Sequence, residues 1–171
     1  MKKLVSILSI SGLMFISNFA FTGETYENEE AKFKITFPAE FESEKEVDED
    51  GKITYSLSCG YGDMLLIGNA FIFTEPVSED DNLVAEAGEI FRVAGAFESK
   101  VKIDDVLAWN VGDDTGFINP MKCKGDYKGY IGNYYVIVQG SIEYQFLVLG
   151  PKKTYDYNCE SRYINSFEIL P

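Results

Sequence analysis

Apolar side chains recur at every second position in run after run of this chain, and that period fixes its fold class before any other feature does. Residues 32–37 alternate strictly, with Phe33, Ile35 and Phe37 on one side and Lys32, Lys34 and Thr36 on the other, and Pro38 ends the run. Residues 52–59 alternate again, bringing Ile53, Tyr55, Leu57 and Cys59 together. Residues 64–73 are almost continuously apolar, as in a central strand covered on both faces. Turn signals at Asp50-Gly51 and at 60–63 join these runs into a predicted antiparallel meander. The most strand-like stretches come late: residues 129–140 and 141–150 meet at Gln139-Gly140, a predicted tight hairpin.

The period changes twice. After Pro76, Ser78 to Asp81 supply capping residues, and Leu83, Ala87, Ile90, Phe91 and Ala94 follow at helical spacing, which predicts a helix over 81–95. Cys159, Tyr163, Ile164 and Phe167 predict a second helix over 156–166, with a short strand in the tail at 168–170. Between the helices, residues 99–103 and 106–111 read as a hairpin around Asp104-Asp105. Residues 116–124 read as an extended segment interrupted at Pro120, suited to an edge or a bulge. Strands followed by single helices at two places predict an α+β fold: a mainly antiparallel β-sheet with helices packed on its faces, an α/β/α sandwich.

The first 20 residues have their own logic. Lys2 and Lys3 precede an apolar stretch from Leu4 to Ile16, and small or polar residues lead to Ala20, the layout of an export signal peptide. Cleavage is expected after Ala20, with Thr22 and Gly23 as close competitors. The bacterial periplasm or extracellular space is the expected destination, with no membrane span after cleavage. Residues 21–31 read as a flexible acidic lead-in and 32–171 as a single domain. Acids outnumber bases 28 to 15, for a net charge of −13. Losing Lys2 and Lys3 takes this to about −15, a balance opposed to nucleic acid, whose binders need a basic face.

Export makes disulfides durable, but three cysteines allow one intramolecular bond at most. Cys59 falls on the apolar side of an alternating run and reads as a buried free thiol. Cys123 and Cys159 flank polar, turn-like sequence and form the preferred pair; three free thiols is the alternative.

The order of elements resembles the PsbP-like fold, an α/β/α sandwich found in an extrinsic photosystem subunit and in small exported bacterial proteins. The resemblance spans most of 32–169. It rests on the strand Phe33 to Pro38, the segment Lys102 to Val106, the aromatic hairpin Tyr130 to Leu149 and the Ile164 to Phe167 end of the last helix. It implies a binding or accessory module more often than an enzyme; the photosystem role does not carry over, because no residues specific to it are present.

The chemistry is read mostly by exclusion. The chain has no histidine, which removes Ser-His and Cys-His nucleophile pairs and His-ligated metals. No serine sits in a G-x-S-x-G elbow, and no glycine-rich stretch matches a phosphate loop. Acidic groups at Asp48–Asp50, Glu79–Asp81, Asp104-Asp105 and Asp113-Asp114 fall at turns or caps, where local hydrogen bonding favours Asp. No catalytic residue, cofactor or metal is expected, and a carboxylate-only hydrolase is the remaining enzymatic reading. Tyr130 and Tyr134 on the late hairpin, with the single Trp109, are the candidate partner-binding face. The expected function is that of an exported, non-enzymatic accessory or binding protein acting on a protein or envelope component. An acidic inhibitor or immunity-type protein against a basic secreted hydrolase is the alternative.

Overall fold

The computed structural model describes residues 23–77, 97–98, 107–123 and 129–171. Among the described residues eleven strands and one helix follow in chain order: β1 (Glu24–Asn28), β2 (Phe33–Phe37), β3 (Glu42–Val47), β4 (Ile53–Tyr61), β5 (Met64–Ile72), β6 (Phe97–Glu98), β7 (Leu107–Val111), β8 (Asp114–Cys123), β9 (Tyr130–Gln139), β10 (Ile142–Pro151), α1 (Tyr157–Asn165) and β11 (Glu168–Ile169). They form an eight-stranded sheet, ordered β3-β4-β5-β10-β9-β8-β6 with β7 also on β8, and a three-stranded sheet, β1-β2-β11. Every pairing is antiparallel.

The alternating runs form strands because each then buries one complete row of side chains. Tyr55, Leu57 and Cys59 of β4, Met64, Leu66 and Ala70 of β5, and Tyr144, Phe146 and Val148 of β10 share one face of the large sheet. The small sheet and α1 cover that face with Phe33, Ile35, Phe37, Tyr163 and Phe167. Phe33 meets Tyr144 at 5.6 Å and Phe146 meets Phe167 at 4.7 Å between ring centroids.

α1 starts where Asp156 accepts hydrogen bonds from the N–H groups of Asn158 (2.9 Å) and Cys159 (3.0 Å), an N-cap that satisfies two orphan donors. It ends at Ser166, whose Oγ donates to the carbonyl of Tyr163 (2.6 Å) and accepts from the N–H of Thr36 in β2 (2.9 Å).

Three sequence expectations need correction. The α/β/α sandwich does not form: the described residues hold one nine-residue helix, and it shares its face of the large sheet with a second sheet. The helix expected over 81–95 lies outside the described residues, as does the signal peptide. The lead-in is not flexible throughout, since Glu24 to Asn28 pair along the whole of β2. The first strand of the expected meander, β2, leaves the large sheet to pair with β1 and β11, and β3 takes the place beside β4.

Pro120 meets the expectation of an edge position. It lies within β8, opposite Asn133 of β9, at the gap between the stretches of β8 that pair with β7 and with β6, so β8 has a partner on one side only at this point, where a proline is tolerated.

Candidate functional site

Trp109 lines a concavity among the described residues. Its cross-strand partner is Gly116, where a Cβ would collide with the carbonyl oxygen of Val136 and come within 3.0 Å of the Trp109 ring. The indole therefore lies over bare backbone, packed against Tyr135 (5.4 Å), Phe167 (5.7 Å) and Phe146 (5.9 Å). Above it an open groove of about 560 Å³ runs between the turn at Gly112 to Asp114 and the C-terminal run from Phe167 to Pro171. A shallower depression of about 400 Å³ continues it past Lys32 and Gly140. Asp113, Asp114 and Glu168 put acids on the groove wall, and Glu168 is paired with Lys34 at 2.8 Å.

Beside this groove lies a buried carboxylate. Glu160, in the first turn of α1, is 5% exposed and accepts from Asn133 Nδ2 (2.5 Å) and Tyr135 Oη (2.8 Å). Burial, then the Glu160 charge, push the hydroxyls of Tyr135 and Tyr155 well above the usual tyrosine range. Both therefore stay protonated donors at neutral pH. The cluster anchors the helix to β9 and is satisfied internally. The other buried carboxylate among the described residues, Glu143, neighbours Tyr144 in β10 and so points to the opposite face of the sheet, where it accepts from Gln145. The two cannot flank one substrate.

The expected partner-binding residues do not share a surface. Tyr130 is partly exposed, Tyr134 is fully buried, and Trp109 is 8% exposed. Tyr130 and Tyr134 lie on one face of β9, while Trp109 packs with Tyr135 on the other. Cys59 and Cys159 are both buried, and both stand reduced in this structure; Cys123 ends β8, and its side chain lies outside the described residues. Of the acidic groups, Asp48 Oδ1 accepts from the N–H of Asp50 (3.0 Å) and of Lys52 (2.9 Å), ordinary turn chemistry. The groups at 79–81 and 104–105 lie outside the described residues.

β3 was not among the expected strands. All six of its residues, Glu42 to Val47, are exposed, and it forms one edge of the large sheet. Glu42, Glu44 and Glu46 alternate along one side. On the other, Lys45 Nζ pairs with Glu30 at 2.6 Å, and Tyr55 Oη donates to the same carboxylate. Hydrogen bonds from Lys45 and then Tyr55 hold the Glu30 carboxyl below its ordinary range. The alternating acids of residues 40–50 could have signalled a solvent-facing edge strand.

No family model matches the sequence, and no curated protein is significantly similar to it. Among solved structures the chain is similar to a crystal structure at 1.50 Å from Bacteroides thetaiotaomicron VPI-5482, with a TM-score of 0.55 and 12% identity. That match covers 87% of this chain and 49% of the other, so this chain spans about half the length of its structural neighbour. The likeness is one of fold, and it does not name the PsbP-like family.

Proposed function

We propose that the protein is an exported, non-enzymatic accessory or binding protein that meets a basic partner through its acidic edge. The observation that carries this reading is β3, fully exposed at the rim of the sheet, with Glu42, Glu44 and Glu46 in one row. Such a row in a chain of net charge −13 sets up a field that steers a cationic partner and fixes its register. The groove over Trp109, with Asp113, Asp114 and Glu168 on its wall, supports the same sign of partner. Non-enzymatic action is supported by the two buried carboxylates, which occupy opposite faces of the sheet and make internal hydrogen bonds.

The negative field also favours a second reading, an inhibitor or immunity-type protein that neutralises a basic secreted hydrolase. One experiment addresses both. The immobilised chain is exposed to an envelope extract at about 0.02 M and about 0.5 M salt, which shortens the Debye length several-fold. Retention of a basic accessory protein at low salt only is the expected result. Retention of a single basic hydrolase that loses activity when bound selects the second reading, and no retention at low salt refutes both.

A further inference from the structure

Two cysteines far apart in sequence are placed on facing surfaces of the core. Cys59 closes the buried row Tyr55, Leu57, Cys59 of β4, and its Cα partner on β5 is Leu66. α1 crosses β5 along the same line. At one end the N–H of Asp156 donates to Met64 Sδ at 3.2 Å. At the other the Tyr163 hydroxyl lies so close to Gly68 that a Cβ there would be 2.9 Å from it. Cys159 lies between Asp156 and Tyr163 on the helix, as Leu66 lies between Met64 and Gly68 on the strand, so Cys159 sits over the row that Cys59 shares with Leu66. Both thiols belong to one buried cluster.

Cys123 lies elsewhere. The sheet order β5-β10-β9-β8 puts it three strands from β5, about 14 Å at the usual strand spacing.

We propose that Cys59 and Cys159 form the disulfide of this protein, tying α1 to β4, and that Cys123 is the odd thiol. Two S–H bonds break and one S–S bond forms; the two protons and two electrons pass to a small-molecule disulfide, which leaves as two thiols. Burial pushes Cys59 up to about 11, against a hydrogen bond to the Ala39 carbonyl that lowers it, and burial and then the Asp156 charge push Cys159 up to about 12. Thiolate is therefore scarce once the core has closed, and the bond forms while the chain folds. α1 leads directly into the run Phe167 to Pro171 that walls the groove, so the bond fixes that wall against the main sheet. The chemistry is independent of the partner reading; only the oxidant met in the cell depends on export.

The test is to refold the full chain, reduced and denatured, in a glutathione redox buffer. The products are mapped by mass spectrometry without reduction, after alkylation in denaturant. The expected product links the Cys59 and Cys159 peptides and carries one alkylated thiol, at Cys123; Cys123→Ser leaves the link intact. Reduction should lower the melting temperature by roughly 10–20 °C, since the bond closes a loop of about 100 residues. A link through Cys123, or three alkylated thiols, overturns the pairing, and an unchanged melting temperature overturns the tie between α1 and β4. The reduced wild-type chain is the comparison, so this arm does not depend on the folding of a Cys59 or Cys159 variant.

Discussion

Tyr163 places a polar atom where the core offers it nothing. Its ring is fully buried, 5.0 Å from Phe37 and 6.1 Å from Phe146, and its hydroxyl has no hydrogen-bond partner among the described residues. An unsatisfied buried hydroxyl costs about 1–3 kcal/mol. Tyr163→Phe removes that cost and vacates on the order of 10 Å³, which returns only about 0.2 kcal/mol as a cavity penalty. The variant should therefore be more stable by about 1–2 kcal/mol.

Gly68 supplies the second arm of the argument. A Cβ at this position would lie 2.9 Å from the Tyr163 hydroxyl and 3.3 Å from the Phe146 ring, so Gly68→Ala alone should cost about 1–3 kcal/mol through overpacking. With Tyr163→Phe the nearest atom is gone. The ordinary preference of a strand for Ala over Gly, roughly 0.5–1 kcal/mol, then offsets most of what remains. The two changes should thus couple by at least about 1 kcal/mol, outside the additive range of about 0.3–0.5 kcal/mol. Urea unfolding followed by fluorescence of Trp109, the single tryptophan, 5.9 Å from Phe146 in the same core, measures all four corners of the cycle. Destabilisation by Tyr163→Phe, or additive energies, would mean that the buried hydroxyl costs the core nothing or does not meet Gly68.

Asp156→Ala removes the acceptor for two N–H groups of α1 and should cost about 1 kcal/mol in urea unfolding, with Asp156→Asn retaining most of it. Glu160→Leu strands the Asn133 amide and the Tyr135 hydroxyl; a loss of about 2–4 kcal/mol is expected, and Glu160→Gln, which keeps an acceptor, should lose less. In alkali, Cys59 is raised from 9.0 to about 11, Cys159 from 9.0 to about 12 and Tyr144 from 10.0 to about 12, burial being the first cause of each. The unfolded chain therefore loses protons that the reduced folded chain keeps. Their stabilisation is complete below pH 9 and lost as pH rises from there towards 12. A urea midpoint that stays level across that window would contradict the burial of these groups.

What the sequence made legible follows the physics of side-chain burial. Phe33-Ile35-Phe37 and Tyr55-Leu57-Cys59 alternate because one face of each strand is dry, and these strands lie where the period puts them. α1 falls within one residue of its expected bounds, since Cys159, Tyr163 and Ile164 form its buried stripe. β1 and β3 were illegible because main-chain pairing holds them while their side chains stay mostly in water, so they carry no hydrophobic period. The split into two sheets was hidden for a different reason. Nothing in Phe33 to Phe37 says that its partners are Glu24 to Asn28 and Glu168-Ile169 rather than the next apolar run. Glu160 is no different by residue type from a solvated helix acid; only the phase shared with Cys159 and Tyr163 hinted that it faces inward. Trp109 and Tyr134 were grouped by residue type, and the sheet between them separates what composition joined.

The acids of β3 have two physical explanations. An edge strand exposes unpaired N–H and C=O groups, and charged side chains guard it against pairing with another sheet. Either sign of charge serves that purpose, lysine as well as glutamate. Recognition of a cationic partner depends on the sign. Reversal of Glu42, Glu44 and Glu46 to lysine therefore separates the two roles within one molecule. These side chains are exposed and paired to Ser58, Ser56 and Thr54 across the ladder, so the fold has little reason to resist the change. A guard role leaves the variant monomeric and its retention of envelope proteins unaltered. A recognition role also leaves it monomeric but abolishes salt-sensitive retention. Only the second outcome is compatible with the proposed function, because the first would reduce the acidic edge to a device for solubility.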